Sequence, residues 1–258
     1  MQANYADSDG DSGMLACEQQ DEKEMVLSFA SHAHCSALSR VLRGELCAEF
    51  SRQAGRHFKP YEPVYSAGDR AHSVYFLKQG LVKTSVITPQ GEEVVLQLHL
   101  AGDVFGELCF CGRERREKAV ALEPSEVAEI SIAALLARLQ RSPQALTGFL
   151  GVVCQRLSDS YDRLAMLSFD DTMARLARTL IKLGNEMGRP IPGGVEISHY
   201  LRQEDLADMI GASREVVSSL LNRLRKLHLI EYRRKGQLVI RTAPLLDFLE
   251  RAAPRDRD

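Results

Sequence analysis

The stretch from Leu201 to Lys226, LRQEDLADMIGASREVVSSLLNRLRK, constrains the chain more than any other. It reads as two helices joined by a tight turn. Leu206, Ala207 and Ile210 share one face of the first helix. Gly211 stands where the chain must reverse, because glycine tolerates the left-handed backbone such a turn needs. Ser213 takes the N-cap position of the second helix, where its hydroxyl can accept a bond from an otherwise free backbone N–H. Val217, Leu220, Leu221, Leu224 and Leu227 recur at helical spacing and predict the buried face. Arg214, Glu215, Ser218, Ser219, Asn222 and Arg225 are left on the other face. Arg and Glu at a helix N-terminus suit the DNA major groove, since Arg donates twice to guanine and Glu accepts from the cytosine amino group. A helix-turn-helix lays this part of its second helix against the base edges. Arg202, ahead of the first helix, joins the expected DNA-contact set. The bland alternative is a surface helix with solvated charges, and the agreement of turn, cap and face argues against it.

Charge supports the same end of the chain. The 258 residues carry a net charge of −2, so the whole shows no nucleic-acid signature. The distribution is uneven, with 16 Lys/Arg against 12 Asp/Glu from Asp171 onward and 17 against 23 before it. Between Gly211 and Arg241 the ratio is 8 to 2, where phosphate contact would need positive charge. The length predicts about two domains. No apolar run approaches a membrane span, and the acidic N-terminus lacks the signal-peptide pattern. The chain therefore reads as cytoplasmic with no membrane partner. Its six cysteines (Cys17, Cys35, Cys47, Cys109, Cys111 and Cys154) are expected to be mostly reduced.

Taken in order, residues 1–33 form an acidic segment expected to be disordered. A helical pattern, Leu38, Val41, Leu42, Leu46 and Phe50, runs from His34 to about Gly55. From Arg56 to about Ile132, short β-like runs alternate with glycine turns. Val74 and Phe76, then Leu81, Lys83, Ser85 and Ile87, alternate by two, and Pro89–Gly91 predicts a hairpin before Val94–Leu100. Such strands suggest an antiparallel roll. Ser131–Gln140 reads as a short helix. Ser142-Pro143 opens a long one to about Leu167, with proline at the first helical position. Its Leu146, Leu150, Val153, Leu157, Tyr161 and Leu164 are spaced by three or four, which predicts a seam for a second copy of the chain. Packing against its own roll is the alternative. Another helix spans Asp171 to about Met187. Gly188–Gly194 reads as a loop, and Val195–Ser198 as a short strand. Leu229–Tyr232 and Leu238–Arg241 predict a β-hairpin wing with a basic tip at Arg233–Gln237, and Pro244–Arg251 a last helix.

In this order the chain resembles the CRP/FNR family of bacterial transcription regulators, over about Gly55 to Arg241. The resemblance rests on GDVFGEL (Gly102–Leu108), ALEPSEVAEIS (Ala121–Ser131), SFDDTMARLART (Ser168–Thr179) and EDLADMIGASREVV (Glu204–Val217). It implies an α+β fold: an N-terminal cyclic-nucleotide-binding-like β jelly roll, a long dimerisation helix and a C-terminal winged helix-turn-helix. The expected division is residues 1–33 as the acidic segment and 34–141 as the effector-sensing roll with its leading helix. Residues 142–169 are then the dimerisation helix and hinge, and 170–258 the DNA-binding domain. The implied partners are double-stranded DNA, a second copy and RNA polymerase. By resemblance Ser213 is a phosphate contact, and Arg214 and Glu215 are base contacts. The family's usual Arg four positions after this Glu is Ser219 here. A serine cannot bridge guanine with two bonds, so one base pair is read differently, and Ser218 can still reach a base or phosphate.

The effector is left open by the residues. In cyclic-AMP-binding members the loop after the GEL motif holds sugar and phosphate, and the corresponding set here is Gly106, Glu107, Leu108, Arg115 and Arg116. Glu107 matches the ribose ligand and Arg115 the phosphate ligand, but Arg116 replaces the usual serine. Ser160 matches a hydroxyl that contacts adenine, and Tyr161 replaces a second one. The cofactor is therefore unknown, with a cyclic nucleotide as one candidate. Arg113, Arg115, Arg116 and Lys118, balanced only by Glu114 and Glu117, could also hold a phosphate or be a solvated charge run. Cys109 and Cys111, read as i and i+2 of a strand, would point the same way and could react with an oxidant. Two small buried side chains are the bland alternative. His32, His34 and Cys35 could hold a haem or metal, but no wider ligand cluster accompanies them. His57, His72 and His99 are isolated, so the metal-dependent enzymes built on the same roll are not indicated. With no nucleophile motif and no phosphate-binding glycine loop, no catalytic or metal site is expected. A ligand-binding module whose helix-turn-helix grips protein remains the non-DNA alternative.

Overall fold

The computed structural model describes residues 50–233 and 237–252. Eight strands come first: β1 (Gly55–Phe58), β2 (Pro63–Tyr65), β3 (Ser73–Gln79), β4 (Leu81–Ile87), β5 (Glu93–Leu100), β6 (Val104–Phe105), β7 (Lys118–Ala121) and β8 (Ser125–Ser131). They pair antiparallel into two sheets, β1-β8-β3-β6 and β2-β7-β4-β5, which face each other as a jelly roll. Phe58, Leu77, Phe105 and Val127 from one sheet meet Tyr65, Val82, Ala119 and Ala121 from the other and exclude water between them. The acidic segment, His32, His34, Cys35 and all of the leading helix up to Phe50 lie outside the described residues. Phe50 itself is buried, with its ring 6.2 Å from that of Phe76.

Three helices follow, each started by a residue suited to the task. Ser131 caps α1 (Ile132–Arg141), and Ser142 with Pro143 at the first position caps α2 (Pro143–Phe169). Asp171 caps α3 (Thr172–Met187), accepting from the Ala174 N–H at 2.7 Å. The break between α2 and α3 is the two-residue hinge Asp170-Asp171. The expected seam lies on the outer side of α2, with Leu150, Leu157, Tyr161 and Leu164 all more than half exposed in the single chain. That exposure removes the alternative in which the seam packs on its own roll. Leu146 and Val153 continue it, also exposed.

The last third contains β9 (Gly188–Ile191), β10 (Gly194–Ile197), α4 (Gln203–Ile210), α5 (Arg214–Lys226), β11 (Ile230–Tyr232), β12 (Leu238–Ile240) and α6 (Thr242–Ala252). The four strands form one sheet in the order β11-β12-β10-β9. The Gly188–Gly194 segment, expected as a loop, is therefore corrected to a hairpin arm, with β9 paired to β10. Its Pro190 is tolerated because β9 is the edge strand. Leu227 is also corrected. It caps the end of α5 and stands 47% exposed, while Leu229 is buried in the core instead.

One apolar cluster crosses the boundary between the two halves. Leu81, Val95, Leu98 and Leu122 of the roll share it with Leu176, Leu206 and Ile210 of the helical part. In β4 the five residues from Leu81 to Ser85 are consequently all buried, although the strand alternates. Val82 and Thr84 face into the roll. Leu81, Lys83 and Ser85 face outward, and α4 and its surroundings cover them. Among the described residues no helix is long and apolar enough to cross a membrane.

Candidate nucleic-acid interface and the interior of the roll

The recognition face is built by the turn between α4 and α5. Gly211 adopts φ 62 and ψ 53, the left-handed geometry that lets α4 stop and the chain turn within three residues. The Ser213 side chain accepts from the Val216 N–H at 3.3 Å and starts α5. Val217, Leu221 and Leu224 are buried beneath, so the opposite face is fixed outward. Ser213, Arg214, Glu215, Ser219, Asn222 and Arg225 are exposed there, and Ser218 is half-buried. Arg214, Glu215, Ser218, Ser219 and Asn222 line an open groove with Gln203. The Glu215 carboxyl is held below the ordinary range by its own backbone N–H, then by the Ser213 hydroxyl and Arg214. It is thus an ionised acceptor. Arg214 reaches across the groove to Glu204 at 3.0 Å, an exposed pair that a competing acceptor can replace. At the wing Arg233 pairs with Glu196 at 3.2 Å. The remainder of the expected basic tip, 234–236, lies outside the described residues.

Arg202 is the exception in this set. Its guanidinium lies 3.4 Å above the ring of Tyr61, which belongs to the β1–β2 turn of the roll, so it is engaged away from the recognition face.

Inside the roll, the residues of the expected effector set are already occupied. Arg115 is only 3% exposed. It donates to the Gly106 carbonyl at 2.7 Å and to the Ser73 carbonyl, and lies 4.3 Å over Tyr65 and 5.2 Å over Tyr75. Tyr65, Tyr75, Phe105 and His99 continue as a stack of rings at 5.0–5.5 Å between successive neighbours. Gly106 has φ 79, and a Cβ there would stand 2.9 Å from the Arg115 guanidinium, so glycine is required twice over. Glu107 pairs with Arg156 of α2 at 3.0 Å. The Tyr65 hydroxyl donates to Glu117 at 2.9 Å, and burial with that neighbouring charge pushes its pKa up. His99 bonds Thr84 at 3.0 Å, and burial, then the Arg156 charge, keeps it neutral. Leu108 and Arg116 are exposed. On α2, the Ser160 hydroxyl donates to the Arg156 carbonyl at 2.8 Å, and Tyr161 stands 61% exposed.

The cysteine pair is corrected. Cys109 and Cys111 lie on a 3-10 helix (Glu107–Cys111), not on a strand. At three residues per turn, positions i and i+2 diverge. Cys109 is buried, Cys111 is exposed, and burial raises the Cys109 pKa. They do not share a direction, and Cys109 is a poor thiolate. Among the described residues no group of three His, Cys, Asp or Glu side chains could hold a metal ion.

Sequence reasoning missed the residues that join the halves. Lys83 on β4 is 7% exposed and pairs with Asp205 of α4 at 2.7 Å, Glu93 of β5 at 3.2 Å and Asp208 of α4 at 4.0 Å. Burial works to lower its pKa, but Asp205 and Glu93 outweigh that and hold it above the ordinary lysine value. Arg163 of α2 donates to the Val95 carbonyl of β5 and to the Met209 carbonyl of α4 at 2.9 Å. Arg175 of α3 donates to the Ile210 carbonyl at 3.0 Å, so the carbonyls ending α4 are met by guanidinium groups. Two signals were available. Lys83 interrupts the apolar run LVKTSVI, and Arg156 and Arg163 are seven apart on the side of α2 away from its seam.

Comparison with known proteins assigns both halves. Residues 55–142 match the cyclic nucleotide-binding domain, and residues 174–247 match the Crp-like helix-turn-helix domain. The chain is 31% identical over 179 residues to the cAMP-activated global transcriptional regulator CRP of Pasteurella multocida, covering 68% of this chain and 85% of that protein. It is 27% identical over 238 residues to Electron transport regulator A of Shewanella oneidensis, covering 88% and 93%. The structure of FixK2 from Bradyrhizobium japonicum superimposes with a TM-score of 0.67 at 21% identity, over 79% of this chain and 100% of that one, a likeness of fold.

Proposed function

The chain belongs to the CRP/FNR family of transcription regulators, and from that premise we propose how this member reads DNA and which parts of it respond to control. It is a sequence-specific DNA-binding regulator of that type, a homodimer on a two-fold symmetric operator, controlled through its β-roll. Arg214 and Glu215 read base edges, Ser213 and Arg225 meet phosphates, and Ser218, Ser219 and Asn222 complete the face. The observation that carries this assignment is the outward face of α5, exposed in one stripe and opened by an Arg and an ionised Glu. Substituting Arg214 or Glu215 by alanine is expected to cost about 1–3 kcal/mol against the preferred base and to relax specificity at that position alone.

The boundaries are residues 34–141 for the sensing roll, 142–169 for the dimerisation helix, and 170–258 for the reading head with the hinge Asp170-Asp171 at its start, with 1–33 ahead of them. The seam on α2, Leu146 to Leu164, joins the copies. RNA polymerase is the further protein partner, the compartment is the cytoplasm, and the chain has no catalytic role. The effector is not identified, and the residues expected to hold cyclic AMP are engaged within the chain in the arrangement described. Arg115 is committed to two carbonyls and two rings, Glu107 is committed to Arg156, and Arg116 stands where the usual serine would be. The diverging Cys109 and Cys111 speak against a dithiol switch.

Selection from a randomised duplex pool, with and without cyclic AMP and with thiols reduced or oxidised, tests this. A palindrome recovered without nucleotide supports the reading. A palindrome recovered only with cyclic AMP would show that the Arg115 cluster rearranges. No enriched sequence under any condition would return the helix-turn-helix to a protein-binding role.

A further inference from the structure

We propose that Glu204 of α4 is a positioning residue for DNA specificity: it braces Arg214 at Nε, so that the two terminal nitrogens of that arginine meet guanine as a fixed fork. This role rests on the DNA-reading assignment above and adds to it a residue of the first helix that touches no base.

The contact is selective at the level of the atom. A Glu204 carboxylate oxygen stands 3.0 Å from Nε of Arg214. A guanidinium carries its donors in one rigid plane, and a partner at Nε leaves both terminal nitrogens unused. Those two are the pair that suits guanine O6 and N7. Guanine can therefore be met without displacing Glu204. Glu204 is the second residue of α4 and Arg214 the first of α5, so the contact ties the two helices together across the groove that Gln203, Glu215, Ser218, Ser219 and Asn222 also line.

Arg214 needs a brace from outside its own helix. Its side chain is 62% exposed, and ordering a long exposed side chain at an interface costs binding energy. The Glu215 carboxylate is held chiefly by its own backbone N–H and the Ser213 hydroxyl, and Arg214 bears on it least. Ser219, one turn on, is too short to reach. An acidic residue in the first turn of a helix can also serve the helix itself. That task falls to Asp205, whose carboxylate accepts from the Arg202 N–H at 3.2 Å. A carboxylate in this groove repels phosphates, so Glu204 weakens binding to every duplex alike. In exchange, an arginine held at Nε cannot swing to a phosphate or a neighbouring base, which is how a loose one would accept wrong sequences.

The test measures affinity of the full-length protein for the palindrome recovered from the random pool and for duplexes substituted singly along one half-site. Glu204→Ala, Glu204→Gln, Arg214→Ala and the double alanine variant are compared with wild type. Glu204 is 50% exposed, so its removal leaves the core intact. Arg214→Ala identifies the base pair that Arg214 reads. Glu204→Ala is expected to lose about 2- to 5-fold of discrimination at that pair alone, the worth of an exposed ion pair, while binding every duplex at least as tightly. Glu204→Gln keeps an acceptor for Nε and is expected to retain most of the discrimination. In the double variant, loss of Glu204 adds nothing to loss of Arg214. Discrimination unchanged in Glu204→Ala, or lost evenly along the half-site, or lost as fully when Arg214 is already absent, overturns the brace. If wild type selects a palindrome and Arg214→Ala alters discrimination at no position, the base-reading assignment of Arg214 fails first and the brace falls with it.

Discussion

At the scale of single residues, Arg115 and Asp208 separate two ways of placing charge inside a protein. Arg115 is buried as a structural cation, with two backbone carbonyls and two aromatic faces around it. Hydrogen bonds from charged donors contribute about 1.5–3 kcal/mol each. Arg115→Met is therefore expected to lower stability by about 3 kcal/mol or more, because it also strands the carbonyls of Gly106 and Ser73. Chemical denaturation measures this, and an unchanged midpoint would mean that the guanidinium is free for a ligand. Asp208 is the opposite case. Burial pushes its pKa up to about 6, with Lys83 and Lys118 opposing and Glu93 and Asp205 adding to the rise. The folded state thus favours the neutral acid. Its contribution is complete below the ordinary carboxylate range and is lost as pH rises through about 6. Asp208→Asn keeps the neutral form at all pH values. It is expected to stabilise the protein by about 1–2 kcal/mol near neutral pH, after discounting for its partial exposure, and to match wild type in acid. Melting curves across that range check the sign.

Among the elements, α2 carries two faces with separate duties. Its outer face is an apolar seam, and its inner face carries Arg156 and Arg163 into the roll and the reading head. The seam residues are spaced by three or four and are exposed in the single chain, as the interface proposed for a second copy requires. Burying one leucine contributes about 1.5–3 kcal/mol, and a carboxylate in its place adds a desolvation cost. Leu157→Glu with Leu164→Glu is therefore expected to yield folded monomers by sedimentation that no longer hold a palindromic site. A dimer that survives both charges would relocate the interface. The hinge between α2 and α3 owes its position to chemistry that was readable in advance. Asp171 opens the helix expected from the sequence and caps it in the fold. The 3-10 helix was not readable. GELCFC looks like a continuing strand, and the left-handed Gly106 turns the chain out of the sheet.

For the whole molecule, the positive charge is concentrated on the reading head, so a dimer presents two basic surfaces to one duplex. With about 6–10 phosphate contacts, affinity is expected to fall by about 10³–10⁵ between 50 and 200 mM salt, a slope that titration at several salt concentrations reads. A flat salt response would point to a protein ligand for the same face. The sequence by itself determined the architecture and the recognition face. The caps Ser131, Ser142, Asp171 and Ser213, the turn at Gly211 and the period-two strands are local signals, each set by the bonding and backbone freedom of a few neighbouring residues. The outward stripe of α5 follows from the same helical period that buries Val217, Leu221 and Leu224. What only the tertiary structure decided is where distant groups meet. Lys83 reads only as one residue of an alternating strand until α4 arrives 122 positions later and buries it on Asp205. Arg115 reads as a phosphate ligand until β3 and the Gly106 turn place carbonyls and rings around it. Burial and pairing of a charge depend on chain segments brought together by folding, and neither composition nor periodicity carries that distance.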